Sequence, residues 1–335
     1  MRPQSFTFIL APLLLIGGVA SAQTLPEPPA PLEPPTLQIA QSQPEQTRAE
    51  RQAARHESRR PPTEEESLAL AAMEGLMAQP PERALPVIKK VLAGQQSKLV
   101  KERALFVLSQ IDQPEANAML LDYARSANNP LRNEAIRMIG VGGNAKSLSG
   151  LQDIYAGGNA SVKRSVLEAW LIAGRKAEVY QAALNAKSEA DASQAIRTLG
   201  AMGAVDELRK LGDQNKNSRN LLEAYTITGD LDSLRKLADG ASDLSVRSEA
   251  IRRIGIINSE PARVALRELY AGNTAPQLKD AVLEGMLISN DQQGVLALYR
   301  NAKTPEEKRT LLRTLSIMGG DAALQAIDAA LETRK

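Results

Sequence analysis

The sequence predicts an all-α fold, an α-solenoid built from stacked antiparallel helix pairs. Eight segments with one apolar pattern recur at a period near thirty residues, and a second apolar segment of helical length separates most of them. Aromatic residues make up only 3% of the 335-residue chain, while Ala and Leu recur throughout. This composition favours close helix–helix packing over a β-sandwich.

The repeat is clearest when each segment is aligned on its second apolar residue, which we call the anchor. Successive anchors lie 31, 31, 29, 26, 29, 32 and 29 residues apart. The eight anchors are Leu105, Ile136, Leu167, Ile196, Leu222, Ile251, Leu283 and Leu312. A fixed period of this length is typical of a repeat array in which each unit buries its apolar face against its neighbours.

The segments between anchors predict the second helix of each unit. They read ANAMLLDYA, LSGLQDIYA, VDELRKLG, LDSLRKLA, RVALRELYA and GVLALYRNA. Gly, Asn and Pro mark the turns, and in KTPEE the chain offers Thr304 as helix cap, Pro305 at the first helical position and Glu307 in the first turn. Each unit is therefore predicted to be two helices of roughly a dozen residues.

Units such as LRNEAIRMIGVGG (131–143) and VRSEAIRRIGIIN (246–258) resemble the short HEAT-like repeat of about thirty residues, which is also found in phycobilisome lyases. The resemblance covers about residues 80–335. It implies a right-handed α-solenoid, and HEAT-like arrays serve as scaffolds, adaptors and occasional enzymes. The resemblance therefore indicates the architecture without naming an activity.

The N-terminus predicts export. Arg2 precedes an apolar stretch from Phe6 to Val19, and Ala20-Ser21-Ala22 forms an A-x-A cleavage signal. We expect residues 1–22 to be a signal peptide cleaved after Ala22, which makes the protein periplasmic or secreted. The alternative is an uncleaved anchor, but the apolar stretch is short and Pro12 interrupts it.

Two segments follow in the mature chain. Residues 23–62 are rich in Pro and then in mixed charge, and almost nothing in them could be buried, so they are predicted to form a flexible linker arm. Residues 63–335 are predicted to form the solenoid. A capping box at Thr63–Glu66 marks its beginning.

The composition predicts no metal site, no cofactor and no catalytic residue. The chain has no Cys and a single His, His56, in the arm, so zinc-type ligands and a histidine-based triad are lacking. The formal net charge is +2, which gives no basic field for nucleic acid. Three weak matches, Ser233–Lys236 (S-x-x-K), 140–146 (GVGGNAK) and the sequon 159–161, are interpreted as chance or as turns.

Aromatic residues at matched repeat positions leave two interpretations open. Tyr155 and Tyr270 are equivalent, Tyr123 and Tyr299 occupy similar helices, and Trp170 follows an anchor. They form either a stacking groove for a ligand or, as we favour, packing between units.

The predicted binding surface lies one residue after each anchor. The sign of the charge alternates there through seven consecutive units, and on a helical wheel these positions lie away from the packed stripe. We call these residues the charge row: Arg137, Glu168, Arg197, Glu223, Arg252, Glu284 and Arg313. The resemblance implies that the row faces the concave side of the solenoid. A structural role in setting repeat register is the alternative, and exposed pairs contribute only about 0.2–1 kcal/mol each.

A second row of basic residues is predicted to hydrogen-bond neighbouring turns. Its members are Lys101, Arg132, Lys163, Arg247, Lys279 and Lys308.

These observations predict a non-catalytic protein–protein interaction scaffold of the bacterial cell envelope, which binds a protein or peptide on the concave face. The alternative is a metal-independent lyase or isomerase, which needs a carboxylate of raised pKa in a closed pocket. A third interpretation, attachment to a membrane surface or cell wall through the Arg residues at 48–60, is weakened by the acidic residues among them.

Overall fold

The computed structural model describes residues 60–214, 218–273 and 275–332. Within these ranges the chain forms eighteen α-helices and no β-strand, so the predicted all-α solenoid is confirmed. The predicted signal peptide, His56 and nearly all of the predicted arm lie outside the described residues. No helix in the described ranges is long and apolar enough to cross a membrane.

The helices alternate between two layers. The odd-numbered helices, which carry the anchors from α3 onward, are α1 Glu64–Leu76, α3 Lys98–Ser109, α5 Arg132–Gly142, α7 Ala160–Ile172, α9 Glu189–Ala201, α11 Ser218–Thr228, α13 Leu244–Ile257, α15 Pro276–Ile288 and α17 Pro305–Met318. The even-numbered helices are α2 Pro81–Ala93, α4 Pro114–Arg125, α6 Ala145–Ala156, α8 Lys176–Leu184, α10 Val205–Asp213, α12 Leu231–Gly240, α14 Glu260–Gly272, α16 Gln292–Asn301 and α18 Gly320–Glu332.

Residues 62–335 form one compact unit in which every odd helix packs on the next odd helix. Each even helix from α4 to α16 also packs against the odd helices before and after it in the chain. In the described ranges, extensive contacts between even helices occur at four steps, α4–α6, α8–α10, α14–α16 and α16–α18. The odd layer is therefore the more tightly stacked of the two.

Short helix caps set the helix boundaries as the sequence predicts. Thr63 accepts a hydrogen bond from the backbone N–H of Glu66, and the Glu66 carboxylate accepts one from Thr63 N–H at 2.9 Å, which completes the capping box. Thr304 likewise accepts from Glu307 N–H at 3.2 Å, with Pro305 in the first turn. These caps satisfy N–H groups that have no partner inside the helix.

The odd-to-even turns need a residue of positive φ. Seven odd helices, α5 to α17, end one or two residues before a residue with φ between 48° and 71°. These residues are Gly143, Gly174, Gly203, Gly229, Asn258, Asn290 and Gly319. Gly and Asn are the residues that adopt the left-handed region at lowest cost, which explains their recurrence at this repeat position.

The core is one continuous apolar layer between the two sets of helices. Seven of the eight anchors are buried, and the eighth, Leu312, packs against the core while partly exposed. In a stack of this kind each unit buries its apolar face on its neighbours, so stability is shared along the array.

The recurring EAIR-x-I-G heptad has a packing origin. Gly140, Gly200 and Gly255, four residues after their anchors, face Ala169, Ala224 and Gly285 on the next odd helix. A Cβ built at Gly255 would lie 2.4 Å from the carbonyl oxygen of Gly285. Only small residues on both sides allow such an approach, so the steps α5–α7, α9–α11 and α13–α15 are close-packed pairs. The repeat is in this respect a two-unit repeat.

Two buried aspartates join successive even helices. Asp230 caps α12 and accepts hydrogen bonds from Arg209 of α10 at 2.7 and 2.8 Å. Asp291 caps α16 and accepts from Arg267 of α14 at 2.9 and 3.1 Å. Burial by itself raises the pKa of Asp230, but hydrogen bonds from Arg209 and Ser233 hold that pKa below its usual value.

Candidate interaction surface

The charge row lies on the solvent side of seven successive odd helices, α5 to α17. Arg197, Glu223, Glu284 and Arg313 are exposed, and the other three members are half-buried. The anchor immediately before each of the first six is buried. The helical period therefore points anchor and charge in different directions, as the wheel predicts.

Charges of the row pair across two of the three close-packed helix steps. Nε of Arg197 on α9 lies 3.8 Å from a carboxylate oxygen of Glu223 on α11. Arg252 on α13 bonds Glu284 on α15, and it lies 3.7 Å from Glu249 on its own helix. The hydrogen bond to Glu284 raises the pKa of the Arg252 guanidinium. Both pairs cross steps where Gly meets a small residue, which brings the helix surfaces close enough for direct contact.

The row is a set of separate pairs and not a continuous ladder. In the described ranges, neither Glu168 nor Arg313 lies within 4.0 Å of an oppositely charged group, and Arg137 bonds Glu134 of its own helix. No ion pair links Glu223 with Arg252 or Glu284 with Arg313 across the looser steps of this part of the chain. The row consequently keeps charges of both signs available to solvent.

Two of the six residues in the second basic row, both Arg, bond the end of a neighbouring helix as predicted. Nε of Arg132 donates to the Ala124 carbonyl at 2.9 Å, and Nε of Arg247 donates to the Ala238 carbonyl at 2.8 Å. The lysines reach forward instead: Lys163 bonds Asp191 at 2.7 Å, and Lys279 bonds Glu307 at 3.2 Å. Arg thus ties an odd helix to the end of the preceding even helix, whereas Lys ties it to the next odd helix.

The structure also reveals a second row on the same surface, which the sequence reasoning missed. It consists of the fifth residue after each of the last seven anchors, one helical turn beyond the charge row and on the same helix face. We call it the aliphatic row: Val141, Ile172, Ala201, Ile227, Ile256, Ile288 and Ile317. All seven are exposed. The anchor alignment contains the signal, because the residue at this position is aliphatic in each of the last seven units although the position lies off the core stripe.

The weak catalytic match at Ser233–Lys236 has structural partners. The Ser233 hydroxyl donates to Asp230 at 2.7 Å, and the Lys236 ammonium bonds Asp213 at 2.7 Å. The lysine is therefore not placed to activate the serine, which agrees with the interpretation as chance. Asn159 of the sequon caps α7 by accepting from Val162 N–H at 3.0 Å.

The aromatic residues mainly pack between units. Trp170, Tyr270 and Tyr299 are buried, as packing requires. The Tyr155 and Trp170 ring centroids lie 5.4 Å apart beside a pocket of about 430 Å³. Burial, reinforced by the negative charge of Asp191, raises the pKa of Tyr155 to about 12, so its phenol stays protonated at neutral pH.

One carboxylate on the odd side has a raised pKa. Burial is the largest cause of the raised pKa of Glu102, and the nearby Glu134 adds to it while Lys98, 3.7 Å away, opposes it. Glu102 borders a pocket of about 390 Å³ together with Glu74 and Arg103. In the described ranges no group of three His, Cys, Asp or Glu residues could hold a metal ion.

Comparison with known proteins agrees with the repeat architecture. The family model described as HEAT repeats matches residues 85–171, which lie within the array of helix pairs. No curated protein matches the sequence.

Two solved structures match the chain at low identity. The human deoxyhypusine hydroxylase in complex with glycerol is 15% identical, with 67% of this chain and 98% of that chain covered at a TM-score of 0.29. The complex of CpcE and CpcF of phycocyanin lyase from Nostoc sp. PCC7120 is 18% identical, with 69% and 93% covered at a TM-score of 0.29. With both scores this low, neither structure carries an argument about this chain.

Proposed function

We propose that the protein is a non-catalytic interaction scaffold that binds a protein or peptide along the solvent face of its odd helices. One observation carries the proposal. Seven successive helices present a charge row of mixed sign beside an aliphatic row, both on one preformed surface. A surface of mixed polarity spread over many units suits a polypeptide partner, whose affinity comes from many modest contacts.

The tighter stacking of the odd layer supports placing this surface on the concave side. In a curved stack the layer with the closer spacing lies on the inside, and every odd helix packs on the next, whereas even helices make extensive contacts at four steps of the described ranges. A concave face would let a partner contact several units at once.

The cellular location of the protein is part of the same proposal. The N-terminal pattern of residues 1–22 supports export to the envelope, with cleavage after Ala22. N-terminal sequencing of protein from the exported fraction tests it: a mature chain beginning at Gln23 is expected, and a chain retained in the cytoplasm with Met1 would contradict it.

Cross-linked co-purification from the exported fraction tests the scaffold. The decisive variant reverses Arg197, Glu223 and Arg252 together, and the control variant reverses Arg235 and Glu268, an exposed pair on even helices. We expect the first variant to lose a partner that the parent and the control retain, with unchanged helix content by circular dichroism. Equal recovery by all three forms would contradict the proposal.

The second candidate, a metal-independent lyase or isomerase, is favoured by Glu102 alone, whose raised pKa suits a general acid or base. Its test is a turnover assay on candidate substrates with a Glu102→Gln variant. Activity that disappears in this variant, with stability unchanged, would favour the enzyme.

A further inference from the structure

The last helix of the array exposes its large aliphatic side chains. The buried residues of α18 are three alanines, which pack on the core. The exposed fractions of its larger side chains are 65% at Leu324, 38% at Ile327 and 69% at Leu331. These positions are three and four residues apart, so they form one stripe, the α18 stripe. Terminal units of a repeat array usually turn a polar face outward, and this stripe departs from that rule.

The first even helix presents a face of matching length at the other end of the array. Arg83, Val87 and Lys90 of α2 are four and three residues apart, and all three are exposed. Pro86 and Lys89 lie on another side of α2, where they line a pocket with the first residues of α4. The face of Val87, which we call the α2 face, is therefore turned away from the rest of the array.

The charges beside these two faces are opposite in sign. Helix α18 contains three acidic residues and no basic one, and on a helical wheel Asp321, Asp328 and Glu332 lie along the edge of the α18 stripe farthest from the buried alanines. Arg83 and Lys90 lie on the corresponding edge of the α2 face. In the described ranges none of these five residues lies within 4.0 Å of an oppositely charged group. Each edge therefore complements the other.

The first odd helix follows the same repeat as the later ones, although it precedes the first anchor. Leu70 of α1 follows an alanine, as four of the eight anchors do. Met73, three residues later, is buried, as is the residue at this position in every other odd helix. Leu70 therefore occupies the anchor position of α1, and this assignment relates positions on α1 to positions on α17.

Two ion pairs inside the chain show how a lysine joins successive odd helices. Lys163 bonds Asp191 at 2.7 Å, and Lys279 bonds Glu307 at 3.2 Å. In both pairs the lysine lies four residues before its own anchor, and the carboxylate lies five residues before the next anchor. The contact is therefore specific to the register of the repeat.

The two ends of the array carry the two halves of this contact. Lys308 of α17 lies four residues before the last anchor, and Glu65 of α1 lies five residues before Leu70. Both are exposed, and in the part of the chain that the structure describes neither has an opposite charge within 4.0 Å. Ser316 and Ala72, also exposed, hold the two positions at which Gly meets a small residue in the close-packed steps. Small side chains are thus present at the point of closest approach.

We propose that the chain binds further copies of itself head to tail. Helices α17 and α18 of one copy pack on α1 and α2 of the next copy and continue the repeat. The α18 stripe covers Val87, its acidic edge lies beside Arg83 and Lys90, and Lys308 pairs with Glu65 of the next copy. Such a contact joins two different surfaces, so it continues as an open chain or closes into a ring. This inference goes beyond the scaffold function and does not depend on it.

Sedimentation velocity of the mature chain, residues 23–335, over a wide range of concentrations tests the inference. The head variant carries Leu68→Ser, Arg83→Glu and Lys90→Glu. The tail variant carries Lys308→Glu, Leu324→Ser and Leu331→Ser. The matched control variant makes the same kinds of change at exposed positions in the middle of the array: Lys146→Glu, Ile172→Ser and Ile227→Ser. Circular dichroism should show the parent's helix content and melting temperature in all three, because the changed side chains lie at the surface.

We expect the parent and the control to associate beyond the dimer as the concentration rises. The head variant and the tail variant should each associate at least tenfold more weakly. An equal mixture of the two should form a dimer and stop there, because the intact tail of the head variant can bind the intact head of the tail variant.

Four outcomes would overturn the inference. They are a parent that stays monomeric, a parent that stops at the dimer, a head variant that still associates like the parent, and a mixture of the two variants that stays monomeric. The third outcome would point to a symmetric contact between two α18 helices. A control that associates as weakly as the two end variants would equally contradict a contact confined to the ends.

A charge exchange tests the register of the contact. Lys308→Glu alone should weaken association by up to about fivefold, the range expected for an exposed ion pair. Adding Glu65→Lys to the same chain should restore it, because the pair is then present with its signs exchanged. Further weakening in the doubly changed chain would contradict the pairing of Lys308 with Glu65.

Discussion

Replacement of Gly255 by Ala tests the physical origin of the repeated heptad. The added Cβ would lie 2.4 Å from the carbonyl oxygen of Gly285, 2.7 Å from its Cα and 2.8 Å from its carbonyl carbon. All three are backbone atoms of α15, so no side-chain rotation relieves the contact. Helices α13 and α15 must separate, which loosens the closest approach in the array.

Two effects of opposite sign set the magnitude. Ala in a helix interior is favoured over Gly by about 0.8–1.0 kcal/mol. Overpacking costs about 1–3 kcal/mol, and rigid backbone on the opposing side favours the upper half of that range. We therefore expect Gly255→Ala to lower the free energy of unfolding by about 1–2 kcal/mol.

Other glycines of the chain provide a control substitution and a series of substitutions with graded losses of stability. Gly240 lies at the end of α12 with no atom within 4 Å of a built Cβ, so Gly240→Ala should be neutral or slightly stabilising. The equivalent close steps give two further distances. A Cβ built at Gly140 would lie 2.6 Å from Ala169, and a Cβ built at Gly200 would lie 3.2 Å from Ala224. The loss should follow the order Gly255, Gly140, Gly200.

Thermal unfolding by circular dichroism ranks the variants, and amide hydrogen exchange locates the effect. Repeat arrays lose structure unit by unit, so a single free energy can hide a local change. Exchange should accelerate in α13 and α15 and stay at the parent rate in α3. If Gly255→Ala is as stable as Gly240→Ala, or if Gly200→Ala is the most damaging, the close-approach argument is wrong.

Three further predictions concern the charges. Asp230→Asn should lower the free energy of unfolding by about 1–3 kcal/mol in urea titration, because Arg209 and Ser233 lose a charged acceptor. Because the pKa of Asp230 is lowered in the fold, its contribution is present above the unfolded value near 3.9 and is lost as the pH falls through the lower folded value. Acid titration of the melting temperature should therefore show a shallower decline in Asp230→Asn than in the parent. Glu284→Gln should cost no more than about 1 kcal/mol, and high salt should erase the difference, because its pair with Arg252 is exposed.

Sequence reasoning reached most of the fold because the fold is built from local signals. The capping box at Thr63, the Thr304 cap and the helical period around each anchor depend on residues within a few positions of each other. The six even helices identified from their apolar segments are all present. Because the unit recurs, the same apolar pattern appears several times, which makes the period recognisable in a single sequence.

The candidate site was only half predictable. The wheel placed the charge row on the solvent side, but which charges pair depends on the separation and rotation of neighbouring helices. Arg252 meets Glu284 across a close step, whereas Glu223 and Arg252 face each other across a looser one without pairing. The helical wheel did not single out Ile227 or Ile256, because an aliphatic residue beside the core stripe is easily assigned to the core.

The sequence by itself determined the helices, their order and the period of the array, because caps, turns and apolar spacing act over a few residues. The tertiary structure alone decided which odd helices approach closely and at which of these steps Arg meets Glu. It also decided that the aliphatic row stays in solvent, and that Asp230 and Asp291 join helices more than twenty residues apart in the chain. Each of these depends on the separation and rotation of neighbouring helices, which many weak contacts set together.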